Sequence, residues 1–376
     1  MTSLVVTKKK KQLYLVLVKN KMKGLSLINK LLYLTNSICL LLLLLSYLSP
    51  YISPTFFWPI SFFGLLFPIF YIVNILFLIY WIIDFKKQVW ANIIILLIGI
   101  QYIGLFFGTQ PKTTENTDSI KVLSYNVRLF NRYGWIAKPD IKSEIVAFLK
   151  TEKADILCIQ EFYTPDKIPT LNYAYKHIGL QSKKDQWHMA IYSNFPQINK
   201  STVSIKGERM NNVCIYSDLN IHPDTIRVYN VHLASNWFKN SDYSFLQNPK
   251  KETLKKGING IVERMKSSYK KRAEEALAVK EHMQSSPYPI ILCGDFNDTP
   301  LSYAYNTISE NLKDAFKESG KGIGQSFVKL PALRIDYILH NERFKSYNYK
   351  RHKQKLSDHY AVSCKVEINN SLLLNQ

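Results

Sequence analysis

The chain has 376 residues, 47% of them hydrophobic, and its 49 Lys and Arg against 28 Asp and Glu give a formal charge of +21 at pH 7. That length can hold two or three domains, but the first third reads as non-globular, which excludes one globular unit from end to end. The five cysteines show no metal-type spacing; Cys158, Cys214, Cys293 and Cys364 sit inside apolar strand patterns and are expected to be buried free thiols.

Residues 1–30 form a basic leader expected to be cytoplasmic, with Lys8 to Lys11, Lys19, Lys21, Lys23 and Lys30 and no acidic residue. Three apolar stretches follow, near Leu31 to Leu48, Phe56 to Ile83 and Ala91 to Phe107. A bilayer core needs about 20 mostly apolar residues per helix, so residues 31–108 are expected to be a membrane domain of three transmembrane helices. Pro59 and Pro68 predict a kinked or tilted middle span. The first stretch ends in Ser46-Tyr47-Leu48-Ser49-Pro50 without a small-x-small cleavage site, so it is expected to be retained and not removed as a signal peptide. Lysines precede the first span and Lys86 and Lys87 lie between the second and third, whereas Pro50 to Thr55 carries no charge. Lysine-rich loops stay cytoplasmic. The N-terminus is therefore expected inside and everything after Phe107 outside, in the periplasm of a two-membrane bacterium or the extracellular space. Starting at Met22 would leave Lys23 and Lys30 to keep the same sense.

Residues 109–119 are polar and unpatterned and read as a linker. Residues 120–370 read as one domain, with 371–376 as a tail. Ile120 to Asn126 alternates and ends on an amide; Lys138 to Lys150 has the apolar spacing of a helix packed on a sheet, with Ile141, Ile145, Val146, Phe148 and Leu149 as its apolar positions. Strands are expected from Asp155 to Glu161, His188 to Ser193 and Thr225 to His232, the last ending on an imidazole. Asn236 to Lys256 is polar and aromatic, a candidate lid or a solvated insertion, and Leu254 to Gln284 reads as helical. Ile290 to Asp298 is a buried-looking strand running through Gly294 into Asp295, Asn297 and Asp298. Alternation places Asp295 and Asn297 on one side and Phe296 toward the core. Leu333 to Leu339 and Ala361 to Ile368 complete the strands, the latter preceded by Ser357-Asp358-His359.

A carboxylate beside an amide at a strand tip can hold a water and a phosphate oxygen, or a hard cation that takes oxygen ligands. Singly, each tip is as well explained by a polar turn. Six on separate strands suggest one rim carrying one site. From Lys112 onward the chain has 39 Lys and Arg against 27 Asp and Glu, a charge of +12 that favours an anionic substrate or surface, unless it is only a solvated face.

In their order, Asn126, Gln160-Glu161, Asn230-Val231-His232-Leu233, Gly294-Asp295-Phe296-Asn297, Ile335-Asp336-Tyr337 and Ser357-Asp358-His359 resemble the endonuclease/exonuclease/phosphatase superfamily over Ile120 to Ile368. The resemblance implies an α/β fold, a four-layered sandwich of two packed mixed sheets flanked by helices, and metal-dependent phosphoester hydrolysis. On it, Glu161 is the principal metal carboxylate, with Asn126 and Asp358 as companions. Mg²⁺ suits such an all-oxygen site, and Mn²⁺ or Ca²⁺ can substitute. Asp295 would orient or deprotonate the attacking water, Asn297 hold the phosphate, and His232, helped by Asn230, donate to a phosphate oxygen. Asp336 would orient His359, as the carboxylate of a hydrolytic triad orders its imidazole. No Gly-x-Ser-x-Gly elbow occurs, which argues against an acyl-enzyme hydrolase. The expected partners are a lipid bilayer and a phosphoester substrate; no protein partner follows. The charge puts extracytoplasmic nucleic acid first among substrates, the spans put a phospholipid or sphingolipid second, and an inactive membrane-tethered scaffold is a third reading.

Overall fold

Apolar strands from Ile120 onward demand faces to bury, and they find them in each other. The computed structural model describes residues 26–163, 170–179, 187–205, 213–236, 242, 254–330 and 332–368. Most of the basic leader, nearly all of the polar-aromatic stretch after Asn236 and the tail lie outside the described residues.

Two six-stranded mixed sheets form the centre. One has the order β13 (Phe344–Arg351), β14 (Val362–Ile368), β2 (Ile120–Asn126), β3 (Ile156–Tyr163), β5 (Trp187–Ser193), β4 (Tyr175–Gly179). The other runs β10 (Lys313–Asp314), β12 (Asp336–His340), β9 (Ile290–Asp295), β8 (Asp224–His232), β7 (Cys214–Ile221), β6 (Gln197–Thr202). Among the described residues, only β2 with β3 and β8 with β9 pair in parallel. Between the sheets, Val122, Ile156, Cys158 and Ile191 meet Ile215, Val228, Ile291 and Cys293 in a shared core. Cys39 and the four strand cysteines are free, as expected.

Helices cover the outer faces. Helix α6 (Ile141–Glu152) buries Ile141, Ile145, Phe148 and Leu149 against Leu123, Tyr125 and Leu157. It starts three residues later than its apolar spacing suggests, because Pro139 and a left-handed Asp140 (φ 58°) precede it. The 31-residue helix α7 (Leu254–Gln284) carries His282 onto the Tyr216 and Tyr229 rings of the second sheet. Residues expected to be a linker are tied down instead. β1 (Phe107–Thr109) pairs with β11 (Lys321–Ile323), and the Asn348 amide N–H donates to the Lys112 carbonyl at 2.8 Å. The small helices α8 (Tyr303–Ile308) and α9 (Ala315–Ser319) complete this part.

The apolar first third departs from three full-length spans. Helix α1 (Leu27–Leu48), 22 residues, is long and apolar enough to cross a bilayer by length and composition. The expected middle span breaks into α2 (Pro54–Phe57), α3 (Ile60–Leu65) and α4 (Phe67–Ile83), with breaks around Pro59 and ahead of Pro68, where the ring removes a donor. Helix α4 has 17 residues and α5 (Val89–Ile103) has 15. At 1.5 Å per residue these reach only about 26 and 22 Å, less than a hydrocarbon core of ~30 Å.

By contact the chain forms two units. One comprises the residues up to Leu45 with Leu66–Gly99; the other comprises Ser46–Leu65 with Ile100–Gln376 and contains both sheets. The first is polar at its centre and apolar outside. Asn36, Asn74 and Asn92, one from each of α1, α4 and α5, are buried, and the Asn36 amide donates to Asn74 Oδ1 at 3.2 Å and Asn92 Oδ1 at 3.0 Å. Trp81 Nε1 donates to Asn36 Oδ1 at 2.8 Å, while Leu31, Leu34, Ile72, Leu76, Ile94 and Leu97 face outward.

Candidate active site

Strand register assembles the site. Parallel pairing sets His232 opposite Asp295, antiparallel pairing sets Asp336 opposite Asp295, and three functional groups line up across β8, β9 and β12. In the other sheet Asn126 is level with Gln160. A bulge between Ile159 and Phe162 then rotates Glu161 (φ 49°) out of the ladder and toward the cleft. The Ser357-Asp358-His359 segment enters beside them, with Ser357 Oγ donating to the Asn126 carbonyl at 2.8 Å.

Gly294 is required where β9 crosses β8. Its φ is +153°, and a Cβ there would collide with the Val231 carbonyl oxygen. Beyond it the strand stops. Asn297 has φ 51° and its N–H donates to Asp295 Oδ1 at 2.8 Å. Strand alternation is therefore not what brings the two side chains together; a carboxylate-capped turn does it. Phe296 is buried against Tyr337, as expected.

The groups converge on Asp295, which is buried. Asn126 Nδ2 donates to Asp295 Oδ2 at 2.9 Å and to Glu161 Oε1 at 3.2 Å. His232 Nε2 lies 3.7 Å from Glu161 Oε1 and 3.8 Å from Asp295 Oδ2, and among the described residues it has no hydrogen-bond partner. His359 Nε2 is 3.7 Å from Asp295 Oδ2, and its Nδ1 meets Asp336 Oδ2 at 2.9 Å and Oδ1 at 3.2 Å. Asn297 Nδ2 donates to the Leu233 carbonyl at 3.0 Å and reaches Asp295 Oδ2 at 3.3 Å. Asp358 Oδ2 pairs with Arg128 Nη1 at 3.0 Å.

Asn230 is the exception among the expected substrate groups. It is fully buried, donates to the Ile159 and Ala190 carbonyls at 2.9 and 3.0 Å, and accepts from Gln160 Nε2 at 2.7 Å. Two residues short of the tip, the same strand face points between the sheets, so this amide cross-ties them.

Burial raises the Glu161 pKa; Asp358 adds to it and His232 opposes it. Burial likewise raises Asp295, with Asp336 adding and His359 opposing. Burial pulls His359 down, but Asp336 and Asp295 outweigh it and hold the imidazolium well above its ordinary range. Buried carboxylates crowding one another fit a hard divalent cation, which would relieve their repulsion, and the orphaned His232 Nε2 fits an incoming anionic oxygen. A ligand atom each from Asp295, Asp336 and His359 lies within 4.8 Å of the others. Both Asp336 oxygens already face His359 Nδ1, however, so that trio reads better as an oriented imidazole, leaving Glu161 and Asp358 for a cation.

Residue-type patterns missed two supports and gave a third, Gln160, no role. Arg128 holds Asp358 from a left-handed turn just after Asn126. Arg272, 1% exposed on α7, pairs through Nε with Asp298 Oδ2 at 3.1 Å and donates from Nη1 to the Ala234 carbonyl at 2.8 Å and Asn236 Oδ1 at 3.0 Å. It ties the chain beyond His232 to the chain beyond Asn297. Gln160 fixes Asn230. An arginine on the buried face of α7 beside Ala273 and Ala276 was the available signal.

Two family descriptions match. "Endonuclease/Exonuclease/phosphatase family" covers residues 123–359, more than half of the chain, and a domain of unknown function (DUF8431) covers residues 29–106. No curated protein matches. Similar solved structures include a functionally unknown conserved protein from Enterococcus faecalis, with 14% identity over 66% of this chain and 100% of that one and a TM-score of 0.50. The human Nocturnin catalytic domain with bound sulfate has 15% identity over 68% and 97%, TM-score 0.48. A mannosyl-6-phosphatase of Bacteroides thetaiotaomicron has 16% identity over 66% and 100%, TM-score 0.46. At these identities the likeness is one of fold, and the first of them carries it.

Proposed function

The chain belongs to the endonuclease/exonuclease/phosphatase family, and on that premise we propose that it is a membrane-anchored, divalent-metal-dependent hydrolase of phosphodiester bonds, acting outside the cytoplasm. The observation that carries the catalytic part is the convergence of Asn126, Glu161, His232, Asp295, Asp336 and His359 on one cleft, drawn from both sheets.

A phosphodiester repels water and gathers charge on its non-bridging oxygens in the transition state. Glu161 and Asp358 would hold the cation, with Asn126 fixing the Glu161 carboxylate; Mg²⁺ is the best match, and Mn²⁺ or Ca²⁺ can replace it. Once bound, the cation supplies charge neutralisation at the phosphoryl oxygens. Asp295, reached by the Asn126 and Asn297 amides, orients the attacking water and takes its proton. His232 presents Nε2–H to a phosphate oxygen, and the Asn297 amide lies beside the same position. His359, its ring fixed through Nδ1 by Asp336, directs Nε2 at the phosphate.

Membrane attachment is supported by the inverted polarity of the helical unit, where asparagines are buried and leucines and isoleucines face out. One helix, α1, is long enough to cross, and with lysines at the N-terminus the chain beyond it stands outside. Phe62, which follows α1, stands edge-on to Tyr269 of α7 at 5.5 Å, in keeping with a hydrolase domain on that side.

The test is turnover of bis-p-nitrophenyl phosphate by the full chain in detergent with Mg²⁺, beside Asp295→Ala. Loss of turnover in the variant is expected; equal rates would remove Asp295 from the mechanism. Protection of the C-terminal region from external protease in intact cells would overturn the orientation.

A further inference from the structure

A cavity of about 420 Å³ borders Glu161, Asn297, Asp358 and His359 of the catalytic cluster. Its apolar wall is made of Leu65, Met265, Phe327, Leu330, Leu333 and Ile335, with Tyr269 beside them, and Phe327 meets the His359 ring at 5.3 Å. Charge alone favours a nucleic acid, but a strand of nucleic acid is gripped by cations along its phosphates and flat rings under its bases. Here two cations border the cavity, Arg272, with its Nε and Nη1 committed to Asp298, Ala234 and Asn236, and Lys329, a single lysine where a strand presents a row of phosphates. Aliphatic side chains, not stacking faces, make up most of the wall.

Leu65 gives the wall its direction. It belongs to α3, and the chain enters the apolar helix α4 two residues later. Leu65 and Phe62 pack on Ile261, Met265 and Tyr269, so the stretch of α7 that lines the cavity also seats the segment between two apolar helices. That segment holds Phe56, Phe57, Trp58, Phe62 and Phe63, with Phe56 89% exposed. Aromatic residues at the ends of apolar helices mark the level where headgroups meet hydrocarbon.

We propose that the phosphoester cleaved by this chain belongs to a lipid, whose apolar chain lies along the Leu65–Met265–Leu330–Leu333 wall while its phosphate meets Asn297 and His359. The inference rests on the hydrolase reading and names its substrate class. Hydrolysis adds water across one P–O bond, and the phosphate leaves with either the headgroup or the lipid alcohol.

Full chain in detergent with Mg²⁺ is given three substrates: bis-p-nitrophenyl phosphate, a single-stranded oligonucleotide, and a series of monomeric phospholipids with one headgroup and acyl chains of four to eight carbons. The expected result is kcat/KM rising severalfold with each added methylene, as apolar transfer dictates, and a flatter rise in Leu330→Asp and Leu65→Asn. Leu330 is 46% exposed, which keeps its variant clear of the core. A series independent of chain length, or faster cleavage of the oligonucleotide than of every lipid, overturns the lipid assignment and leaves the hydrolase reading standing. No cleavage of any of the three overturns both.

Discussion

Replacing Asp336 by Asn removes one charge from a buried pair and leaves its shape. Asp336 is 1% exposed and His359 5%, and both carboxylate oxygens lie within 3.2 Å of Nδ1. At the nearer separation, 2.9 Å, a unit charge pair in an effective dielectric of ~20 attracts by about 6 kcal/mol. The new amide recovers part of this when its oxygen accepts from Nδ1–H. When its NH₂ turns toward the ring, it forces the proton onto Nε2 and the wrong tautomer. A net loss of about 3–5 kcal/mol in transition-state stabilisation is expected, or 10²–10⁴ in kcat. KM should move little, because Asp336 sits behind His359 as seen from the cleft. The assay is initial rate on bis-p-nitrophenyl phosphate at saturating Mg²⁺, with circular dichroism to confirm folding. A folded variant that loses less than about threefold, or that raises KM at constant kcat, would refute the assignment of Asp336 as the orienting carboxylate.

Gly294→Ala should destabilise the domain by roughly 2–4 kcal/mol, since its φ of +153° and the Val231 carbonyl leave no room for a methyl group; an unchanged urea midpoint would contradict this. Arg272→Met should cost about 3–5 kcal/mol by leaving Asp298 buried without its cation, and Asp298→Asn in that background should restore part of it. A double variant no more stable than Arg272→Met alone would deny the pairing. Acid should weaken the fold through His177, whose pKa burial pulls to about 4 with Lys200 adding to it, against the Tyr216 carbonyl. The unfolded imidazole binds its proton near ~6.5, so the unfolded state holds more protons between those values. Stability then falls as pH drops through that window, by up to ~1.4 kcal/mol per pH unit. His177→Gln should flatten the slope in pH-dependent melts; an identical slope would assign the loss elsewhere.

Apolar runs made β2, β3, β8 and β14 legible within a residue or two, and β9 legible at its start though it ends at Asp295 and not Asp298, because strands buried on both faces must be apolar almost throughout. Their polar tips were legible too, since Asn126, Glu161, His232, Asp295 and His359 each end or flank an apolar run that gives them no other purpose. Asn230 was misread, because sequence records which strand face a residue shares and not how deep along the strand the cleft begins. The middle apolar stretch was misread as one full span, because hydropathy counts apolar residues whether or not Pro59 and Pro68 interrupt the helix, and the third stretch forms a helix of only 15 residues.

What the sequence determined by itself was therefore local: strand periods, the residue types at their ends and the presence of an apolar first third. Tertiary structure alone decided that β8, β9 and β12 pair in the register that levels His232, Asp295 and Asp336, and that a bulge turns Glu161 to meet them. It also brought Leu65 to the same cavity as His359 across nearly three hundred positions. Partners so distant in the chain are chosen by the burial of shared surface, a property of the assembled sheets and of no single segment.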